Sequence, residues 1–194
     1  MLSFTYERRF EGHPAYTELW GIRKSIREMG NRMRKSSYSE REAARSRINH
    51  LRERATELEI QINEDLFSGA RVIASTLVSS NHRILTGRRF TTLFIDEAAQ
   101  ALEAACWIAI RKADRVIFAG DHCQLPPTIK CIEAARNGLE QTLMEKVAAN
   151  KQETVSLLKV QYRMHQSIMQ FSSEWFYQGE LQAAPEVTNR GILD

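Results

Sequence analysis

Residues 91–100 read TTLFIDEAAQ, a short apolar and β-branched run that ends in two adjacent carboxylates, Asp96 and Glu97. Such a run belongs in a core, where two unpaired charges would cost several kcal/mol each. The strand must therefore release its acids at an exposed end. Three further runs share the pattern: RVIAST (71–76), RVIFAG (115–120) and TVSLLKV (154–160). The intervening segments, 97–111, 132–149 and 165–177, have helical patterning. Strands apolar on both faces and alternating with helices predict an α/β fold, a parallel sheet covered on both sides.

In open α/β sheets, ligands bind beyond the carboxyl ends of the strands. Three of the runs deliver polar residues there: Asp96 and Glu97, then Asp121 to Gln124, then Gln161 to Arg163. An apolar strand ending in Asp-Glu has the form of a Walker B element, whose first carboxylate holds Mg²⁺ and whose second orients a water. The same acids would also suit the first turn of a helix starting near Ala98, where the dipole favours negative charge. In FAGDHCQLPP (118–127), Pro126 and Pro127 stiffen a loop that holds Asp121 and Gln124 at fixed positions. A rigid polar loop of this kind suits the sensing of a phosphate. His122 beside Cys123 raises zinc, but the ligand set is incomplete.

The first third has a different period. Leu19, Ile22, Ile26, Met29 and Met33 recur at spacings of three and four, as do Ala44, Ile48, Leu51, Ala55, Leu58 and Ile62. This predicts an antiparallel helical hairpin with one apolar seam. Pro14 suits the first turn of its first helix, SSYS (36–39) its turn, and Ser39 with Glu42 a capping box opening its second. Between Trp20 and Arg54, eleven Lys and Arg stand against four Glu, a local balance of +7 within a chain of net charge +3. That face could attract phosphates, or simply keep the hairpin solvated.

With 194 residues, 43% hydrophobic and 26% charged, pervasive disorder is excluded. No apolar run approaches the ~18–20 residues of a membrane span, and MLSFTYERRFEG has no signal-peptide core. Three cysteines without C-x-x-C spacing suit a reducing compartment, so the expected location is cytoplasmic, without membrane contact.

FIDEAAQA, AGDHCQLPPTI and VQYRMHQSIMQFSSEWFYQGEL resemble motifs II, III and IV of superfamily 1 helicases, most closely the Upf1-like group that includes the Dna2/Nam7 type. The resemblance covers about 125 residues, from Arg71 onward. It implies RecA-like domains that couple ATP hydrolysis to 5′-to-3′ movement on single-stranded DNA or RNA, with ATP and Mg²⁺ as cofactors. It assigns Asp96 to Mg²⁺, Glu97 to the hydrolytic water, and Gln124 to the γ-phosphate. Arg163 becomes an arginine finger, Tyr162 a neighbour of the adenine, and Gln100 and Asp121 further nucleotide-site residues. ASTLVSSN (74–81) resembles motif Ic, so Ser75 and Thr76 would touch the nucleic-acid backbone. Helix capping by the same hydroxyls is the alternative. The implied organisation is a helical insertion over 1–66, the back half of a first RecA-like domain over 67–161, and the opening of a second over 162–194.

The chain also departs from the family. None of its nine glycines is followed by lysine, so it has no G-x-x-x-x-G-K-[ST] phosphate loop, and motifs V and VI are missing. Gln166 stands where the family often has proline. The expectation is part of a helicase that is inactive by itself, needing the rest of its own core; the rival is a non-catalytic interaction module derived from one.

Overall fold

The computed structural model describes residues 4–33 and 38–191. The chain divides into two compact units, Met1–Ser75 and Thr76–Asp194.

The first unit is helical: α1 (Tyr6–Glu11), α2 (Tyr16–Met33) and α3 (Tyr38–Ser68). The expected hairpin is α2 against α3, and every seam residue named from the sequence is buried or half-buried. Leu19, Leu58 and Ile62 retain 0–1% of their exposure, each contributing about 1.5–3 kcal/mol of burial. Arg23 reaches Glu59 at 2.7 Å on one side of the seam, and Arg54 reaches Glu18 at 3.0 Å on the other.

Three details differ from the sequence expectation. Helix α1 was not foreseen; it is held by buried Phe10 edge-on to Tyr16, and by Tyr6, whose hydroxyl donates to Asn63 Oδ1 at 2.8 Å. Pro14 lies in the turn between α1 and α2, because His13 Nδ1 accepts the Ala15 N–H and delays the helix to Tyr16. Ser39 is already inside α3, which runs from Tyr38, so it does not open that helix; Ser36 and Ser37 lie outside the described residues.

The second unit contains two parallel strand pairs. β1 (Phe90–Ile95) lies beside β2 (Ala113–Phe118), in register from Phe90↔Ala113 to Ile95↔Phe118, with α4 (Glu103–Ile110) as the crossover. After β2 come α5 (Ile132–Ala134) and α6 (Leu143–Asn150). β3 (Val160–Gln161) then pairs with β4 (Gln182–Ala183) across α7 (Gln166–Phe176). The core is Ile95, Ala98, Cys106 and Leu143, with Leu93, Ile110, Val116, Phe118 and Val147 packed around it. Among the described residues, no helix is long and apolar enough to cross a membrane.

Two of the four expected strands form, TTLFID as far as Ile95 and RVIFAG as far as Phe118. RVIAST is not a strand, and of TVSLLKV only Val160 enters a ladder. Val72 is 86% exposed and Leu158 87%: among the described residues, no neighbouring strand covers either run, and a strand forms only where a second one completes its ladder. The helix expected over 97–111 breaks, because Ala101 and Leu102 are extended between a short turn at Ala98–Gln100 and α4. The one expected over 132–149 breaks at Gly138, whose φ of 95° no helix tolerates, and restarts at Thr142.

Thr142 is fully buried and accepts the Glu145 N–H at 3.2 Å, while Glu145 Oε2 accepts the Thr142 N–H at 2.7 Å. Thr142→Ala is expected to lower stability by about 1–2 kcal/mol in a denaturant titration, and Thr142→Ser to keep most of it; equal losses for both would remove the capping role.

Candidate active site

The site begins where β1 and β2 end. Beyond the ladder, Ala119 N donates to Ile95 O at 2.8 Å and Ala98 N donates to Ala119 O at 2.9 Å, so the two strand exits are tied together. Gly120 follows at once. A β-carbon there would stand 2.9 Å from Ala99 N, 3.0 Å from Ala98 N and 3.0 Å from Met144 Sδ. Only glycine lets the loop after β2 approach the turn after β1 so closely.

On the first of these exits, Asp96, Glu97 and Gln100 are all exposed. Glu97 adopts φ 52°, ψ 38°, a left-handed conformation uncommon for a residue with a β-carbon. Its N–H donates to Asp96 Oδ1 at 3.0 Å, which orients that carboxylate, and Gln100 N donates to Glu97 O at 2.9 Å. The acids leave the strand through a strained turn and not as the first turn of a long helix. Strain of this type costs of order 1–3 kcal/mol and clusters at functional sites.

On the second exit, Asp121 organises its loop. Its carboxylate accepts from Cys123 N at 3.0 Å, from Gln124 Nε2 at 2.8 Å and from the Tyr177 hydroxyl just beyond α7. Pro127 is buried, anchoring the far side of the loop. Gln124 is exposed apart from its bond to Asp121.

Arg163 and Tyr162 follow β3. Gln161 folds back on this turn: its Oε1 accepts from Arg163 N at 2.8 Å and Met164 N at 2.9 Å, and its Nε2 donates to Met164 O at 2.7 Å. The clamp leaves both side chains projecting outward. Tyr162 is 66% exposed and lines an open hollow of ≈ 580 Å³ with Pro185, Glu186, Val187, Asn189 and Arg190. The structure thus joins Asp96 with Glu97, and Asp121 with Gln124, but among the described residues no hydrogen bond or ion pair links the Arg163 guanidinium to any of them. Thr76 accepts the Ser79 N–H at 3.2 Å and donates to Ser79 Oγ at 2.8 Å, closing a local turn before the short helix at Ser79–Asn81. Ser75 ends the first unit.

Residues 9–131 match one AAA domain family and residues 139–193 a second one of the same description. The chain belongs to the AAA domain family. Within it, the sequence matches a fragment of the Upf1-like proteins of helicase superfamily 1. It is 37% identical over 179 residues to DNA-binding protein SMUBP-2 of Mesocricetus auratus, covering 89% of this chain and 18% of that protein. It is 38% identical over 130 residues to the DNA replication ATP-dependent helicase/nuclease DNA2 of Xenopus laevis, covering 67% and 12%. It is 41% identical over 118 residues to the regulator of nonsense transcripts 1 homolog of Drosophila melanogaster, covering 60% and 10%. The chain spans less than a fifth of the length of these three relatives.

For an AAA domain chain, Tyr177 and Gly120 are the site residues that sequence reasoning passed over, and Gln161, placed at a strand end, was given no role. Gln161 and Tyr177 lie inside the quoted VQYRMH and WFYQGEL runs, but only their contacts reveal that they hold other residues in place. Burial alone would push the Asp121 carboxyl up, yet the bonds from Tyr177, Gln124 and Cys123 N outweigh it and hold it below the usual range. Burial, then the bond to Asp121, raise the Tyr177 phenol well above its ordinary value. Burial and the Asp121 charge raise the Cys123 thiol. One ligand atom each from Asp121, His122 and Cys123 lie within 4.8 Å of one another. With three hydrogen bonds already on the carboxylate, that cluster is a poor zinc site. Asp96, exposed with an oxygen to spare, suits a hard oxygen-seeking ion such as Mg²⁺ better.

Gly120→Ala must displace backbone, not a flexible side chain, and is expected to destabilise by about 1–3 kcal/mol in denaturant; wild-type stability would show that the approach is not tight. Because the Asp121 carboxyl is depressed, its contribution is present above the unfolded value of about 3.9 and lost as pH falls through the folded one. Tyr177→Phe should therefore raise the Asp121 titration midpoint followed by carboxyl NMR, and move the acid-side loss of stability to higher pH; an unmoved midpoint would disconnect the two groups.

Proposed function

We propose that this chain supplies the hydrolytic centre and the opening of the second RecA-like domain of an ATP-driven motor that moves along single-stranded DNA or RNA. The observation carrying this reading is the convergence at Gly120, where backbone contact ties the loop of Asp121 and Gln124 to the turn of Asp96 and Glu97. Asp96 would hold magnesium, which when bound neutralises phosphate charge. Glu97, on a fixed backbone, aims and activates the attacking water. Gln124 leaves Asp121 to contact the γ-phosphate, with Asp121 and Gln100 lining the same site. Arg163 brings a positive charge from β3, and Tyr162 offers an aromatic face to the base. We assign 162–194 to the second domain, with 67–161 completing the first and 1–66 forming a helical insertion; the β3–β4 pair, separate from β1–β2, is in keeping with a second domain, although its first strand begins two residues earlier, at Val160. Ser75 and Thr76 are assigned to the nucleic-acid backbone, Thr76 giving up its bonds to Ser79 to do so. Three free cysteines suit a reducing compartment, and we assign the protein to the cytoplasm.

Positioning without a phosphate cradle leaves the nucleotide unheld, so this chain by itself is expected to hydrolyse ATP no faster than its Glu97→Gln variant. In a complete core containing a G-x-x-x-x-G-K-[ST] loop, Asp96→Ala and Arg163→Ala should each abolish strand-stimulated turnover, the arginine change by roughly 10³-fold or more. Unchanged turnover in both variants would leave the non-catalytic interaction module as the better reading.

A further inference from the structure

The two sides of the α2–α3 hairpin carry charge in different ways. On one side the α3 row Glu40, Arg47, Arg54, Glu57 mixes signs, and Arg54 is paired with both Glu18 and Glu57. On the other, the row at spacings of three and four is Tyr38, Arg41, Arg45, Asn49, Arg52, Thr56, Glu59. The Arg23–Glu59 contact shows which α2 row shares that side, and one turn nearer the hairpin tip that row carries Arg27. Arg27, Arg41, Arg45 and Arg52 are all exposed, and among the described residues none of the four takes part in an ion pair. The only acid in the α3 row is Glu59, already held by Arg23.

A charge run that merely solvates a helix places acids four residues from bases, since opposite pairs at that spacing stabilise and like pairs destabilise by about 0.2–0.5 kcal/mol. Arg41 and Arg45 are a like pair at that spacing. From Arg41 to Arg52 the row extends about 16 Å along α3 with no carboxylate in the row itself, and Glu42, the acid three residues before Arg45, forms no ion pair among the described residues. Guanidinium groups in such a row match phosphates, whose charges recur at about 3.4 Å along a stacked strand. Tyr38, 83% exposed at the tip, adds a flat aromatic face on which a base of any identity could stack. Asn49 adds a neutral donor between the arginines.

We propose that this side of the hairpin is a sequence-blind contact surface for a single nucleic-acid strand, with Arg27, Arg41, Arg45 and Arg52 on its phosphates and Tyr38 on a base. It goes beyond the ATP-site reading and is tested without nucleotide, so either proposal can fail alone. The probes are labelled oligo-dT and oligo-U of about 20 nucleotides, bound to the whole chain and followed by fluorescence anisotropy between about 50 and 200 mM salt. Arg41→Gln, Arg45→Gln and Arg52→Gln together should weaken binding of both strands at least about tenfold and reduce the salt slope by about 2, as expected for three phosphate contacts on a single strand. Tyr38→Ala should weaken binding while leaving the slope unchanged. A control with the same charge loss elsewhere, Lys130→Gln, Arg136→Gln and Lys151→Gln, should retain most of the affinity, and circular dichroism should show both triple variants as helical as the parent. The proposal is overturned if the two triple variants lose affinity equally, if the parent binds neither strand, or if heparin or polyglutamate is held as tightly as the oligonucleotides.

Discussion

The backbone of Gly120 lies against the amides of Ala98 and Ala99 with no room for a β-carbon between them, and the geometry of the candidate site follows from that approach. Two parallel strands alone fix their own register, but not the directions their exits take. Here the bonds from Ala119 N to Ile95 O and from Ala98 N to Ala119 O extend the pairing past the last ladder residues. The turn after β1 is thereby pressed onto the loop after β2. Glu97 absorbs the constraint in a left-handed backbone, and its amide then turns inward to Asp96. Strain, glycine and hydrogen bond are three consequences of one close contact.

Much of this was legible in the sequence, and for identifiable reasons. The hairpin seam follows from a 3.6-residue period that nothing at the surface disguises. β1 and β2 follow from apolar runs that each end in polar residues, and α7 from an amphipathic segment bounded by His165 and Tyr177. Motif likeness placed Asp96, Glu97, Gln124 and Arg163 in their proposed roles, while the structure adds the contacts that set their positions. Gly120 could have been noticed as a glycine at a strand exit, but its neighbours Ala98, Ala99 and Met144 are all distant in the chain and no local rule names them. Tyr177 and Asp121 are 56 residues apart, and neither residue type demands the other.

The misplaced elements share a cause: local pattern says what a segment could form, and its surroundings decide whether it does. RVIAST and most of TVSLLKV have strand composition, yet strands exist as pairs, and among the described residues no strand pairs with them. The 132–149 segment has helical composition, but the left-handed Gly138 interrupts it and the Thr142–Glu145 box starts a new helix. That second feature was readable as a T-x-x-E pattern. Where tertiary partners set the outcome, composition overreaches; where capping chemistry sets it, a closer look at four residues suffices.

The Asp121 carboxylate shows how a loop could be both fixed and responsive. Three donors converge on it, but only one, Gln124, has a second role in the proposed mechanism. For the amide to contact a phosphate it must break a bond to a charged acceptor, a loss of about 1.5–3 kcal/mol. The phosphate oxygen offers a charged acceptor of similar strength, so the exchange is nearly balanced and needs little driving force. Meanwhile Tyr177 and the Cys123 amide continue to satisfy Asp121, so the loop need not collapse when the glutamine departs. Tyr177 immediately follows α7, and α7 follows the turn that presents Arg163. The residue that steadies the Asp121–Gln124 loop is thus carried by the same β3–α7 segment as the arginine, so a shift of that segment would act on both ends of the proposed reaction centre at once.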